Sequence, residues 1–248
     1  GFTKEKQKIV TDFFYKNRKY LLTNKYFIAK DSSTFFRAKH IALSFSRYGG
    51  NGCGNYNEDF LKKIDWVSNG GGCCSDHSMV FIGLCLINNI EAREVSNISH
   101  TFNEFWDPEK QKWIFIDPEY LVMAKDSYGN YLSTFEIFQA KKNGLNFTLD
   151  FFGPDNENIK SIASNYASPS NFKCILLKMQ NNVFTEEKWN KVLFFLPKQL
   201  RQFVFITIGF QKGYIAIDEN SDYILDLKKR KLTYGLFCGI YLIINFIA

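Results

Sequence analysis

Apolar residues recur at helical spacing in the first part of the chain, separated by basic and polar side chains. Residues 6–20 and 33–46 carry this pattern, which predicts two helices that each pack one face on a core. A Gly- and Asn-rich stretch at residues 48–55 predicts a loop. A short helix is expected over residues 57–67, just before the glycine run at residues 70–72.

The glycine run leads into two cysteines, as GGGCC at residues 70–74, and then into the apolar stretch 78–87. This stretch predicts a buried helix that begins at Cys74. The glycines allow a tight turn and leave the sulfur of Cys74 uncovered. A thiol at a helix N-terminus lies in the positive field of the helix dipole, which favours the thiolate. Cys74 is therefore the candidate nucleophile.

Aromatic and β-branched residues predict two strands after this helix, over residues 100–106 and 112–117. The sequence DPEK at residues 107–110 predicts a turn between them, so the two strands form an antiparallel hairpin. Such a hairpin brings the start of its first strand beside the end of its second, which makes His100 and Asp117 cross-strand neighbours. The carboxylate then fixes the imidazole tautomer and stabilises the imidazolium.

Beyond Asp117 the pattern changes and predicts a C-terminal accessory region. We expect a helix over residues 133–142, loops at 143–146 and 153–158, a helix over 185–197, and a hairpin of 203–208 with 214–217. The chain is accordingly divided into a core, residues 1–125, and an extension, residues 126–248, that completes or covers it.

The final segment, residues 232–248, is uncharged and follows the basic residues 228–231. A membrane anchor has this composition, and so does a buried terminal strand, because the segment is short for a span and rich in strand-forming residues. Contact with a membrane is expected only through this segment.

Composition and charge exclude some classes of protein. The chain of 248 residues is 46% hydrophobic and 23% charged, as expected of a globular protein. Its net charge of +6 comes from scattered basic residues without a recognisable nucleic-acid-binding motif. We therefore expect no nucleic-acid partner.

The cysteine pattern bears on the compartment. Six cysteines, at positions 53, 73, 74, 85, 174 and 238, lack the spacing of a disulfide framework, which predicts reduced thiols. The first residues are charged and lack the apolar core of a signal peptide. Both observations predict a cytoplasmic protein.

Four segments together resemble the transglutaminase-like core, which is part of the papain-like group and is more distantly similar to arylamine N-acetyltransferases. They are GCCSDHS at residues 72–78, NIEAREV at 89–95, HTFNEFW at 100–106 and WIFIDP at 113–118. The resemblance covers roughly residues 66–120. It implies an α+β fold in which the nucleophile lies at a helix N-terminus packed on an antiparallel sheet. The interval of 26 residues from Cys74 to His100 is short for this family and implies trimmed loops.

The resemblance also implies roles for individual residues. Cys74 corresponds to the nucleophile, His100 to the general base and acid, and Asp117 to the residue that orients the imidazole. The backbone N–H of Cys74 is the expected oxyanion donor. Trp66 and Tyr56 are candidates to line the cleft or to stabilise the oxyanion, although packing in the core is the simpler role for both.

Neighbouring residues leave alternatives open. Cys73 is a second candidate nucleophile, which we expect to face the packing side. His77 lies one helical turn beyond Cys74 and either contacts the sulfur or fills the space beside it. Cys73, Cys74, His77 and His100 also have the chemistry of zinc ligands, but adjacent cysteines lack the spacer of common zinc knuckles. We therefore expect neither a metal nor a cofactor.

The implied function is a cysteine-dependent acyl-transfer enzyme of amidase, peptidase or transglutaminase type. It would act on an amide bond of a peptide, a protein or a small molecule through a thioester intermediate. Two alternatives stay open. One is an N-acyltransferase that takes its acyl group from coenzyme A, and the other is a catalytically inactive binding module.

Overall fold

The structure, a computed structural model, describes residues 4–28, 32–47, 52–53, 59–97, 100–155, 157–166, 175–178, 214–217 and 229. These residues form an α+β fold in which a layer of helices packs on one face of a five-stranded antiparallel sheet. This architecture confirms the predicted fold class.

The helical layer consists of α1 (Lys4–Thr23), α2 (Thr34–Phe45), α3 (Phe60–Ser68) and α4 (Cys74–Ile87). All four were predicted from the hydrophobic pattern, with ends within a few residues of those observed. The central helix is α4, against which α1, α2 and α3 pack. Because α4 is surrounded, its residues from Val80 to Ile87 are all buried. Full burial of a side chain such as Phe81 or Leu84 stabilises the fold by roughly 1.5–3 kcal/mol.

Three strands follow α4 in sequence: β1 (Ala92–Ser96), β2 (Thr101–Asp107) and β3 (Lys112–Ile116). Beyond them lie β4 (Val122–Lys125), α5 (Thr134–Lys142), β5 (Thr148–Phe151), α6 (Glu157–Tyr166), β6 (Ile175–Lys178) and β7 (Tyr214–Ile217). The large sheet has the order β3-β2-β1-β6-β7, and β4 and β5 form a separate two-stranded sheet.

The β2–β3 hairpin has the predicted form. Asp107 pairs with Lys112 at its closed end, and the Asp107 side chain accepts a hydrogen bond of 3.0 Å from the backbone N–H of Glu109 in the turn. At the open end Asn103 pairs with Ile116. Extending this register by one pair places Asp117 opposite Phe102. His100, two residues before Phe102, is then the diagonal neighbour of Asp117.

The two faces of the large sheet are covered differently. Phe105 of β2 and Ile114 of β3 belong to the core shared with α4. Phe102 and Phe115, on the opposite face, pack with Val122 of β4 and with apolar residues of α5 and α6. The sheet is therefore buried on both sides at β2 and β3, which explains the nearly continuous apolar sequence of β3.

Arg93, the second residue of β1, has a structural role in this chain. Arg93 lies opposite Glu104 of β2, and its Nε donates a hydrogen bond of 2.7 Å to the fully buried Glu104 carboxylate. The other Glu104 oxygen accepts a hydrogen bond of 2.6 Å from the backbone N–H of Thr134, the first residue of α5. This pair joins the sheet to α5, and the carboxylate lies where the helix dipole favours it.

The second half of the chain differs from the predictions in part. The helix expected over 133–142 is α5, whereas β4, β5, β6 and α6 were not predicted, and α6 begins inside the expected loop 153–158. The strand at 214–217 is observed as β7, and it pairs with β6. The predicted elements over 185–197, 203–208 and 232–248 lie outside the described residues.

The division into residues 1–125 and 126–248 stays a prediction. The strands β6 and β7, which come from the second part, extend the sheet that begins in the first. Among the described residues, no helix has both the length and the apolar character needed to cross a membrane.

Candidate active site

A glycine turn joins α3 to α4 and sets the position of the candidate nucleophile. At the end of α3 the backbone N–H of Gly71 donates to Trp66 O at 3.0 Å, which satisfies a terminal carbonyl of the helix. The Trp66 indole covers Gly71 so closely that a Cβ there would lie 2.1 Å from Trp66 Nε1. Gly72 has a φ of +93°, a conformation that side-chain-bearing residues rarely adopt. Gly71 is therefore required by the space available, and Gly72 is required by its backbone conformation.

A buried ion pair fixes the first turn of α4. Lys63 of α3 contacts Asp76 with an Nζ–Oδ1 distance of 3.0 Å, and both side chains are almost completely buried. The other Asp76 oxygen accepts a hydrogen bond of 3.1 Å from the backbone N–H of Cys73. Because Asp76 lies in the first turn of α4, its carboxylate also interacts favourably with the helix dipole. Cys74, between these residues, is the first residue of α4 and is partly exposed.

His100 lies just before β2 and is held on two sides. Its backbone N–H donates a hydrogen bond of 2.7 Å to the side-chain oxygen of Asn97. Its Nε2 is 2.7 Å from Asp117 Oδ2, and its ring stacks on Tyr120 with 5.3 Å between the ring centroids. The predicted contact between His100 and Asp117 is therefore present in the structure.

Asp117 follows β3 and has no exposed surface. Its Oδ1 accepts hydrogen bonds from the backbone N–H groups of Glu119, at 2.8 Å, and Tyr120, at 3.3 Å. Its Oδ2 is left to face His100. These hydrogen bonds fix the orientation of the carboxylate.

The thiol of Cys74 completes the cluster. Its Sγ lies within 4.8 Å of a His100 ring nitrogen and of a Glu119 carboxylate oxygen. Since His100 Nε2 faces Asp117, Nδ1 is the nitrogen on the side of Glu119, at 3.9 Å from its Oε2. The arrangement therefore brings together a thiol, an imidazole and two carboxylates.

The electrostatic environment of His100 favours the imidazolium. Burial alone would lower its pKa, but the charge and hydrogen bond of Asp117, together with Cys74, raise the pKa to about 10. Burial likewise raises the pKa of Tyr120 above its ordinary value, helped by the negative charges of Glu119 and Asp117. The raised pKa keeps His100 protonated near pH 7.

Sequence reasoning missed Glu119 and Tyr120. Both follow Asp117 within three positions and belong to the turn that its carboxylate holds. An Asp-Pro turn is a recognisable signal, but only the folded turn directs the Glu119 side chain toward Cys74.

The expectation of reduced cysteines is wrong for one pair. Cys53 and Cys73 form a disulfide, so Cys73 is neither the nucleophile nor a zinc ligand, and it is partly exposed rather than turned to the packing side. Spacing alone did not show this pair, because the loop between them closes only in the fold. A disulfide is typical of oxidising compartments, so it removes the support that reduced thiols gave to a cytoplasmic location.

The other candidates have structural positions. His77 is 1% exposed, and its Nδ1 is 3.2 Å from Cys73 O, which only accepts and so favours the tautomer with the proton on Nδ1. Burial lowers the pKa of His77, which is therefore neutral near pH 7. Trp66 packs on Gly71, as expected of a core residue. Tyr56 lies outside the described residues.

Helices packed on an antiparallel sheet, with Cys74 at the start of α4 beside His100, are the arrangement that the resemblance to the transglutaminase-like core implies. In agreement, the family model described as the transglutaminase-like superfamily matches residues 22–118, which include the helical layer from α2 onward, Cys74, His100 and Asp117. This match confirms the resemblance found in the sequence and extends it to residues 22–118. No curated protein and no solved structure matches the chain.

Proposed function

We propose that this protein is a cysteine-dependent acyl-transfer enzyme that acts on an amide bond, with Cys74 as nucleophile, His100 as general acid and base, and Asp117 as the residue that orients His100. The observation that carries the proposal is the Asp117–His100 contact of 2.7 Å with Cys74 beside the same imidazole. Nucleophile, base and orienting carboxylate in contact are the arrangement that activates a thiol.

The proposed reaction begins with the thiolate of Cys74, which attacks the carbonyl carbon of the amide. The backbone N–H of Cys74 is available to stabilise the oxyanion, because the first N–H groups of a helix have no partner within the helix. The C–N bond then breaks, and His100 gives its proton to the departing amine, leaving a thioester. Water or a second amine, deprotonated by His100, attacks the thioester and releases Cys74. The first acceptor gives hydrolysis and the second gives a new amide.

The burial of the site supports this chemistry. Asp117 is fully buried and His100 is 9% exposed, so their charges are poorly screened by solvent. Cys74 is the more exposed member, as a nucleophile that must reach a substrate requires. The acceptor and the substrate class, whether peptide, protein or small-molecule amide, stay predictions. The same holds for the two alternative functions, the coenzyme A-dependent acyltransferase and the inactive binding module.

Alkylation by iodoacetamide tests the proposal without a known substrate. The rate of labelling would be measured for each cysteine by peptide mass spectrometry between pH 5 and pH 9, without reductant so that the disulfide stays intact. We expect Cys74 to react well below the reference thiol pKa of about 8.5 and to lose this reactivity in His100→Ala.

The matched control is His40→Ala, which removes a partly exposed histidine of α2 and should leave the labelling of Cys74 unchanged. If Cys74 reacts no faster than an ordinary thiol and ignores His100, the catalytic proposal fails. The inactive binding module would then be the better description of the chain.

A further inference from the structure

We propose that Cys74, His100 and Glu119 form a binding site for a thiophilic divalent cation, Zn²⁺ in particular, and that the ion blocks the thiol reversibly. Their three ligand atoms, one each from thiol, imidazole and carboxylate, all lie within 4.8 Å of one another. Thiolate, imidazole and carboxylate are the ligands that Zn²⁺ uses in proteins. Three such ligands are enough to hold the ion, with water in the fourth position. This set differs from the one considered in the sequence, because the disulfide removes Cys73.

The imidazole already has the orientation that a metal ligand needs. A metal-bound histidine usually donates its other ring N–H to a carboxylate, which fixes the ring. In this site Asp117 holds Nε2 at 2.7 Å, and Nδ1 lies on the side of Glu119. His100 can therefore bind an ion through Nδ1 without losing its bond to Asp117.

The imidazole and the Glu119 carboxylate need little movement to bind one ion. Bond lengths of about 2.0–2.3 Å in a tetrahedral zinc site place neighbouring ligand atoms roughly 3.3–3.6 Å apart. His100 Nδ1 and Glu119 Oε2 are 3.9 Å apart, so they need to approach by only a fraction of an ångström. Glu119 is 6% exposed, and its backbone is held by the bond from its N–H to Asp117.

Glu119 is the residue that distinguishes this site from an ordinary thiol–imidazole pair. A cysteine and a histidine alone supply two ligands, and the nearby carboxylate supplies the third. The charges also fit, because the carboxylates of Asp117 and Glu119 both lie beside the imidazole and attract a cation to this position.

Metal binding does not depend on catalysis, whereas its inhibitory effect rests on the proposed function. The test therefore reads the metal directly. Protein without reductant would be titrated with Co²⁺, a spectroscopic substitute for Zn²⁺, and the thiolate-to-metal charge-transfer band would be followed in the near ultraviolet. The Zn²⁺ affinity would be measured by competition with a chromogenic chelator.

We expect one equivalent of Co²⁺ to give the band in the parent protein and none in Cys74→Ser. Glu119→Gln keeps the size of the side chain and removes its charge, and we expect it to weaken Zn²⁺ binding by about 100-fold. The matched control is Glu109→Gln, in the exposed turn between β2 and β3, which should bind like the parent.

The absence of a band in the parent would overturn the proposal without reference to any variant. A band that persists in Cys74→Ser would also overturn it, because the ion would then be bound by other thiols. If the band appears but Cys74 is not unusually reactive toward iodoacetamide, the metal site stands and the catalytic proposal fails. If Cys74 is unusually reactive but no band appears, the metal proposal fails and the catalytic proposal stands.

Discussion

At the scale of single residues, Asp117 holds His100 and the following turn in place through its hydrogen bonds. One of its oxygens accepts from two backbone N–H groups and the other faces His100. Asp117→Asn keeps the shape and removes the charge that stabilises the imidazolium. We expect the labelling of Cys74 by iodoacetamide at pH 6 to slow markedly, and kcat/KM on any substrate later identified to fall by about 100-fold or more.

The control for this variant is Asp126→Asn, which replaces a partly exposed carboxylate that accepts hydrogen bonds from the backbone of its own turn. It should leave Cys74 as reactive as in the parent. Parent-like reactivity in Asp117→Asn would mean that the contact with His100 has no part in activating the thiol.

The raised pKa of His100 also predicts a pH dependence of stability. In the folded protein its pKa is about 10, whereas an unfolded histidine titrates near 6.5. Between these values the folded state binds the extra proton, so the stabilisation is complete below pH 6.5 and is lost as the pH rises toward 10.

The free energy of unfolding would be measured in urea for the parent and for Asp117→Asn. Their difference should be largest below pH 6.5 and should shrink toward pH 10. A difference that stays constant over this range would contradict the assignment.

At the scale of elements, the turn between α3 and α4 depends on the close approach of Trp66 to Gly71. In Gly71→Ala the new methyl group meets the indole, which has to move. We expect a loss of about 1–3 kcal/mol in the free energy of unfolding, measured in urea, as is usual for overpacking. Slower labelling of Cys74 should accompany this loss because the indole lies next to the nucleophile turn.

A double-mutant cycle with Trp66→Ala provides the control. Removing the indole makes room for the methyl group, so Gly71→Ala should cost less in that background. Equal costs in the two backgrounds would show that the strain arises elsewhere.

The elements that carry the site were predictable because their signals are local. The start of α4 at Cys74 followed from GGGCC and the apolar run, and the β2–β3 hairpin followed from its turn sequence. The contact of His100 with Asp117 then followed from the hairpin alone. The disulfide of Cys53 with Cys73 and the approach of Glu119 to Cys74 depend on loops that no periodicity describes. The strand β6 was missed because its partner β1 lies far away in sequence.

At the scale of the whole molecule, the core sheet is built from both halves of the chain. The segment matched by the family, residues 22–118, supplies β1, β2 and β3, and the later strands β6 and β7 extend the same sheet beyond β1. On one face the sheet carries α4 with the candidate nucleophile, and on the other it packs against α5, α6 and β4. The described residues of the second half therefore extend this sheet through β6 and β7 and pack on one of its faces through α5 and α6.

The disulfide connects the region before α3 to the start of α4, and its removal should destabilise the whole fold. Its two cysteines are separated by 20 residues, for which loop-closure entropy predicts a stabilisation of about 3 kcal/mol. The double variant Cys53→Ser and Cys73→Ser should lose about this amount in urea unfolding, and addition of reductant should lower the stability of the parent but not that of the variant.

Peptide mapping of the parent without reductant should recover the two cysteines in one linked species. Two free thiols at these positions, or equal stability of parent and variant, would contradict the pairing. Because Cys73 immediately precedes Cys74, the variant also shows whether the disulfide is needed to hold the nucleophile turn, through the labelling rate of Cys74.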